Sequence, residues 1–254
     1  MIDSHAHLNH EDLLADLPGV LARAAEAGVE TMLVPGYDLA SSRKAVELAA
    51  AHPQLLAAVG IHPHDAQFVD DAVITELTQL AQHPKVVAIG EIGLDFYRDK
   101  SPRPAQQETF ARQIRLAREL GKPIIIHQRE AEAETKEIFL AEKAEELGGV
   151  WHCFSGGLEL MAFVVYQNFC LGIAGPVTFP KAHQLAAVAA QVPANNLLIE
   201  TDCPYLSPHP YRGQVNEPSR LPLIAQRVAE LRNQSSEELE KITRENFQRI
   251  FTKP

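Results

Sequence analysis

The chain opens Met1-Ile2-Asp3-Ser4-His5-Ala6-His7, with two histidines one residue apart. In an extended strand alternate side chains point the same way, so His5 and His7 share a face, and Asp3 lies one layer deeper on it. Two imidazoles side by side form half of a site for a first-row divalent ion, and Asp3 is placed to hold a ring nitrogen of a ligating histidine. Histidines and acids recur where later apolar runs end: Gly60-Ile61-His62-Pro63-His64, Gly90-Glu91, Ile126-His127, Trp151-His152 and Glu200-Thr201-Asp202. Taken singly, His127 or His152 reads as a buried, hydrogen-bonded histidine, and Glu91 or Asp202 as a helix cap. Six of the eleven histidines fall at such run ends, a placement that scattered surface histidines would not show. Acids and neutral imidazoles converging on one rim are costly to assemble without a cation between them.

The elements that must position these groups are short β-branched runs alternating with longer amphipathic ones. Strands are expected over residues 2–5, 31–35, 55–61, 86–90, 123–127, 149–152, 169–173 and 197–201. A helix is expected over 104–120, with Phe110, Ile114, Ala117 and Leu120 in one stripe, Pro104 in its first turn and Gly121 at its exit. A last helix begins near Ser235, whose partner Glu238 fits a capping box, and runs to about Phe251. Eight strands, each followed by a helix, read as a single (β/α)8 barrel, a TIM barrel, over 1–254, a length at which such barrels close. An open doubly wound sheet is the alternative, but its GxGxxG fingerprint after the first strand is absent.

In such a barrel functional groups sit at the C-terminal ends of the strands. Strand eight closes against strand one, which brings His5, His7 and Asp202 together; His127 and His152 come from neighbouring strands five and six. Glu91, at the end of strand four, is the carboxylate placed to bridge two ions. Such a pair activates a water and stabilises charge on attacking and leaving oxygens.

Bulk properties narrow the setting. A formal charge of −10 and a pI near 5.5 disfavour a broad basic footprint for duplex DNA, without excluding a phosphate-bearing substrate at a site whose cations reverse the local field. No apolar run approaches the roughly 20 residues of a membrane span, and the N-terminus lacks the pattern of a signal peptide. Cys153, Cys170 and Cys203 are odd in number and unpaired in spacing, as expected of free thiols in a reducing cytoplasm.

The motifs resemble, end to end, those of the TatD-type metal-dependent deoxyribonucleases, a branch of the amidohydrolase-like barrels. They are Asp3-Ser4-His5-Ala6-His7-Leu8, Gly60-Ile61-His62-Pro63-His64, Gly90-Glu91-Ile92-Gly93-Leu94-Asp95, Pro123-Ile124-Ile125-Ile126-His127, His152-Cys153-Phe154-Ser155-Gly156, Glu200-Thr201-Asp202-Cys203-Pro204-Tyr205-Leu206, Arg212-Gly213 and Asn216-Glu217-Pro218. The resemblance implies that His5, His7, Glu91 and Asp202 hold one divalent ion and Glu91, His127 and His152 the other, as Zn, Mn or Mg. It also implies 3′-to-5′ trimming of DNA, preferring single-stranded ends, through a metal-activated water, by an enzyme expected to act as a monomer. Cys203 stands where many relatives have Ser, and beside a ligand it would bind soft metals or oxidise. Gln214-Val215 replaces residues that are often basic, a loss of charge that would weaken nucleic-acid binding.

Supporting roles follow from position. Asp202 is expected both to ligate and to accept the proton of the attacking water, with Glu200 as its neighbouring partner. His62 and His64 are expected to reach the scissile phosphate or the leaving oxygen. Arg129 is placed to grip a phosphate oxygen, and Tyr205, Phe96 and Tyr97 to stack a base. Two other functions remain open: an amide, lactone or aminoacyl-ester hydrolase on the same dinuclear site, and a metal-dependent binding protein without turnover.

Overall fold

The structure is a computed structural model and describes residues 1–252. Its strands are β1 (Ile2–Asp3), β2 (Thr31–Pro35), β3 (Leu55–Val59), β4 (Val86–Asp95), β5 (Ile124–Arg129), β6 (Gly149–Trp151), β7 (Cys170–Ile173) and β8 (Leu197–Ile199). The helices are α1 (Glu11–Leu14), α2 (Leu17–Glu26), α3 (Leu39–Ala51), α4 (Asp71–Leu80), α5 (Arg103–Leu120), α6 (Glu132–Ala141), α7 (Leu158–Tyr166), α8 (His183–Gln191), α9 (Leu221–Arg232) and α10 (Ser236–Phe251). The strands run parallel in the order β1 to β8, with helices between them, which is the expected (β/α)8 barrel. Parallel strands covered on both faces carry near-continuous apolar runs. Met32-Leu33-Val34, Ile124-Ile125-Ile126 and Leu197-Leu198-Ile199 are buried throughout. No helix among the described residues is long and apolar enough to cross a membrane.

The chain divides into two compact units, Met1–Leu33 with the segment from Cys153 onward, and Val34–His152. In the first unit Ile2 and Asp3 of β1 pair with Thr31 and Met32 of β2, and β7 pairs with β8 from Leu171↔Leu197 to Ile173↔Ile199. Ser4 N–H donates to the Ile199 carbonyl (3.2 Å), and Ala6 bridges Cys203, so the segment beyond β1 runs beside the end of β8. The expected capping box is present on α10, where Ser235 and Glu238 each accept the other's backbone N–H.

In the second unit one strand departs from expectation. β4 does not stop at Gly90 but continues to Asp95. Ile89 pairs with Ile124 and Ile92 with Ile126, so three steps along β4 face two along β5. This extra residue is a bulge, a device that re-aims a side chain without ending the pairing. Glu91 lies in the offset, and its N–H turns away to the Gly36 carbonyl (2.8 Å). Past the bulge the two backbones run so close that a Cβ on Gly93, whose φ is +142°, would meet the His127 carbonyl oxygen at 1.9 Å.

Helix α5 spans nearly the range expected, starting at Arg103 with Pro104 in its first turn and ending on left-handed Gly121. Its buried face also carries Gln106 and Gln113 beside Phe110 and Ile114. The Gln113 amide accepts from Ile61 N–H (2.7 Å) and donates to the Ile61 carbonyl (2.9 Å), standing in for a strand partner one residue before His62. Gln106 accepts from Asp95 N–H (2.9 Å). Removing a buried partner leaves groups desolvated and unmet, at about 1–3 kcal/mol each. We expect Gln113→Leu, which strands both Ile61 groups, to lower unfolding stability by about 3 kcal/mol in a urea titration followed by circular dichroism; an unchanged midpoint and slope would contradict this role.

Candidate metal centre

Each unit gathers its own cluster of imidazoles and carboxylate. In the first, His5 Nε2 and His7 Nε2 lie 3.2 Å apart, and Asp202 Oδ1 is 3.4 Å from His7 Nε2 and 3.9 Å from His5 Nε2. In the second, Glu91 Oε1 is 2.9 Å from His127 Nδ1 and 2.7 Å from His152 Nε2, with those two ring nitrogens 3.2 Å apart. Four ligands set tetrahedrally at 2.0–2.1 Å from an ion are about 3.4 Å from one another. The first triangle brackets that edge; the second is tighter, nearer the edge of about 2.9 Å that neighbouring ligands make in an octahedral shell at the same radius. The atoms of both are the imidazole nitrogens and carboxylate oxygens that suit first-row divalent ions. The residues therefore fit a metal: His5, His7 and Asp202 at one position, Glu91, His127 and His152 at the other. His62 Nε2 also approaches Glu91 Oε1, at 3.5 Å.

Local folding explains how the first triangle forms. Asp202 adopts a left-handed conformation (φ +53°), which an Asp tolerates better than most residues, and its N–H donates to the His5 carbonyl (2.9 Å). Asp3 does not hold a ring nitrogen, as the sequence led us to expect. Its carboxylate accepts instead from the Thr201 hydroxyl (2.6 Å), Thr201 N–H (3.0 Å) and His5 N–H (3.2 Å), fixing the backbones of the segments that carry His5 and Asp202 against each other. Burial pushes the Asp3 carboxyl up to about 7, against the pull of these donors. Glu200 ties further segments together: it accepts from the Ser4 hydroxyl (3.0 Å) and from Cys153 N–H, the residue after His152. A Cβ on Gly172 would sit 2.2 Å from the Glu200 carboxylate, so β7 is flat there to admit it.

The loop after β8 is held by Asn216. Its amide donates to the carbonyls of Thr201 (2.9 Å) and Tyr205 (2.8 Å), on either side of Asp202. The Asn-Glu-Pro motif is thus a clamp on the loop that carries Asp202, with Glu217 anchored by Arg23 on α2 (2.8 Å). Gln214 accepts from Arg220 (3.3 Å), and Val215 projects outward. Tyr205 is half exposed and packs its edge on His7 and His10.

In the second triangle, burial alone would raise the Glu91 carboxyl, but His152, His62 and His127 hold it well below the usual carboxylate range. Burial drives His62 well below an ordinary imidazole. His64 Nε2 (3.1 Å) and His127 Nε2 (3.3 Å) both face Asp95 Oδ2. Asp95 ends the Gly90–Asp95 motif but has no role among the sequence expectations; the signal was an acid four residues beyond Glu91. Arg129 is exposed, makes no ion pair among the described residues and lies 4.0 Å over the half-exposed Tyr97 ring, while Phe96 is buried under Arg103. The cysteines form no disulfide, and burial pushes the Cys203 thiol well above its ordinary value, so it stays protonated.

A family model described as "TatD related DNase" matches residues 2–252. The chain is 43% identical over 251 residues to YabD of Bacillus subtilis, described as an uncharacterized metal-dependent hydrolase, covering 99% of this chain and 98% of that one. It is 36% identical over 258 residues to a protein of Edwardsiella piscicida described as a 3′-5′ ssDNA/RNA exonuclease, TatD, covering 99% of each. The crystal structure of YJJV, a TatD homolog from Escherichia coli, superposes with a TM-score of 0.94 at 30% identity, covering 100% of this chain and 98% of that one.

Leaving one buried and one partly buried carbonyl unmet costs about 2–4 kcal/mol in all. Asn216→Ala is expected to lower stability by about that much. In equilibrium dialysis it is also expected to weaken one bound divalent ion selectively, because Asp202 loses its clamp and Glu91, His127 and His152 do not. Equal weakening of all bound metal would refute the local role.

Proposed function

The chain belongs to the TatD-related DNase family and is a metal-dependent hydrolase, and from that premise we propose that it trims single-stranded DNA from the 3′ end with two bound divalent ions. The observation that carries the reading is the pair of buried triangles, each of two imidazoles and one carboxylate, with edges of the size an ion requires. Bound ions would supply Lewis-acid charge for the phosphoryl oxygens and lower the pKa of the attacking water. The chain's own residues do the rest. Asp202 accepts the proton that the water loses, at the strand-end position its left-handed backbone creates. Arg129, with no carboxylate partner among the described residues, grips a phosphate oxygen. Tyr205, half exposed against His7 and His10, stacks the terminal base. His62 and His64 orient the scissile group, and Glu200 keeps the segments around Cys153 and Ser4 in register. The absence of a disulfide among the three cysteines suits a reducing cytoplasm.

The net charge of −10 and the uncharged Gln214-Val215 pair favour one second reading, a small ester, lactone or amide as the substrate. A panel of 5′-labelled oligonucleotides with free or blocked 3′ ends, single- and double-stranded, set beside amides, lactones and aminoacyl esters, separates the two. We expect stepwise shortening of free 3′ single strands, its loss on chelation and its return with Zn, Mn or Mg. Glu91→Ala is expected to reduce turnover to background and to lower the metal content measured by mass spectrometry. If the residue serves both ions, as the motifs imply, both are lost; if one, only the second. Full activity with two ions in that variant would refute the assignment, and turnover confined to the small substrates would replace the nuclease reading.

A further inference from the structure

Four imidazoles of the second unit crowd around two acids, and nearness alone does not say which of them present a lone pair to a cation. His62, His64, His127 and His152 all lie within 3.5 Å of Glu91 or Asp95. A neutral imidazole has one donor nitrogen and one acceptor, and the partner at one nitrogen fixes the role of the other.

Asp95 is buried, and its two oxygens are divided between two tasks. Oδ1 accepts the backbone N–H groups of Tyr97 (3.1 Å) and Arg98 (2.8 Å). Oδ2 faces Nε2 of His127 (3.3 Å) and Nε2 of His64 (3.1 Å). An ionised carboxylate only accepts, so both rings must bring their protons to Nε2. His127 is then left with its lone pair on Nδ1, directed at Glu91 Oε1 2.9 Å away and His152 Nε2 3.2 Å away. In the neutral ring that lone pair faces the Glu91 carboxylate oxygen, which is unfavourable until a cation or a proton lies between them.

His62 is sorted the other way. It caps the 3-10 turn Pro63–Phe68, and its Nδ1 accepts the His64 backbone N–H (3.1 Å). Its proton must therefore sit on Nε2, the nitrogen 3.5 Å from Glu91. A nitrogen that carries a proton has no lone pair to offer a metal, so His62 is a hydrogen-bond donor although it stands at ligand distance.

We propose that Asp95 is a positioning residue that fixes His127 and His64 by their Nε2 protons, making His127 a ligand through Nδ1, while the turn after β3 makes His62 a donor and not a ligand. This rests on the metal reading above, and its test is separable from that reading.

The variant that isolates the effect is Asp95→Asn. The two backbone N–H groups still need an oxygen, so the side-chain carbonyl takes the Oδ1 place and the amide nitrogen takes that of Oδ2. The amide then donates to both rings and forces the His127 proton onto Nδ1, where the ion requires a lone pair. Long-range ¹⁵N–¹H correlation spectra of histidine-labelled protein read the tautomers directly, with His127 and His62 assigned by their loss in His127→Ala and His62→Asn. In metal-free wild type at a pH where the rings are neutral, we expect both His127 and His62 to carry the proton on Nε2. In Asp95→Asn we expect His127 to switch to Nδ1–H. The affinity for one Zn²⁺, by competition with a chelator, should then fall about 10–100-fold, with the other ion and the melting temperature little changed. His62→Asn, which keeps an oxygen to cap the turn, should still bind both ions. An Asp95→Asn protein that holds both ions at wild-type affinity, a wild-type His127 protonated on Nδ1, or an ion lost from His62→Asn would each overturn the proposal. A wild type that binds no metal would defeat the metal reading, and the metal-free tautomers would still decide this one.

Discussion

The fold carries acids where water does not reach, and each must be answered by donors or by a cation. Asp3, Glu91, Asp95, Glu200 and Asp202 are all buried. An uncompensated buried carboxylate is too costly for a domain of ordinary stability to carry. Three of the five are met by protein donors: Asp3 by the Thr201 hydroxyl and two backbone N–H groups, Glu200 by Ser4 and Cys153, and Asp95 by two backbone N–H groups and two ring nitrogens. At Glu91 and Asp202 the nitrogens of two or more imidazoles gather on one carboxylate oxygen. Some of the buried acids thus tie backbone together, and these two bring imidazoles together. That difference, more than nearness in space, is what supports a cation at these two acids.

Holding such a site requires backbone fixed to a few tenths of an ångström, and here the work falls to side-chain amides. Gln113 and Gln106 reach from α5 to the backbone of Ile61 and Asp95, just before His62 and just after the Glu91 bulge. Asn216 spans the carbonyls on either side of Asp202. An amide offers a donor and an acceptor on one rigid plane, so it replaces a missing strand partner where the pairing runs out. The catalytic end of a parallel strand is where its pairing runs out. Polar residues on the inner face of a helix, normally a defect in an apolar stripe, become the struts of the site.

Much of this was legible in the sequence because its signals are local. The strands announce themselves as β-branched runs, and the histidines at their ends count as a set. Ser235 with Glu238, and Pro104 with Gly121, mark helix ends to within a residue. What escaped depends on partners distant in the chain. That β4 continues to Asp95 is decided by its pairing with β5, and no period in 86–95 discloses a bulge. Asp3 was expected to hold a ring and instead holds backbone, because Thr201, 198 residues away, presents a better donor. That Arg129 lies over Tyr97 follows from the pairing of Asp95 with Arg129, which no window of sequence contains.

The same limit applies one level down, inside the site. Distance brings His62 into the group around Glu91 as readily as it brings His127. Lone-pair direction separates them, and direction is set by atoms that touch neither the metal nor the substrate: a backbone N–H at the start of a turn and a carboxylate at the end of β4. On the tautomer assignment proposed above, a chain that kept the six candidate ligands but carried Asn in place of Asp95 would present the wrong nitrogen. The identity of a metal site therefore resides in hydrogen bonds to the far side of each ring as much as in the ring itself.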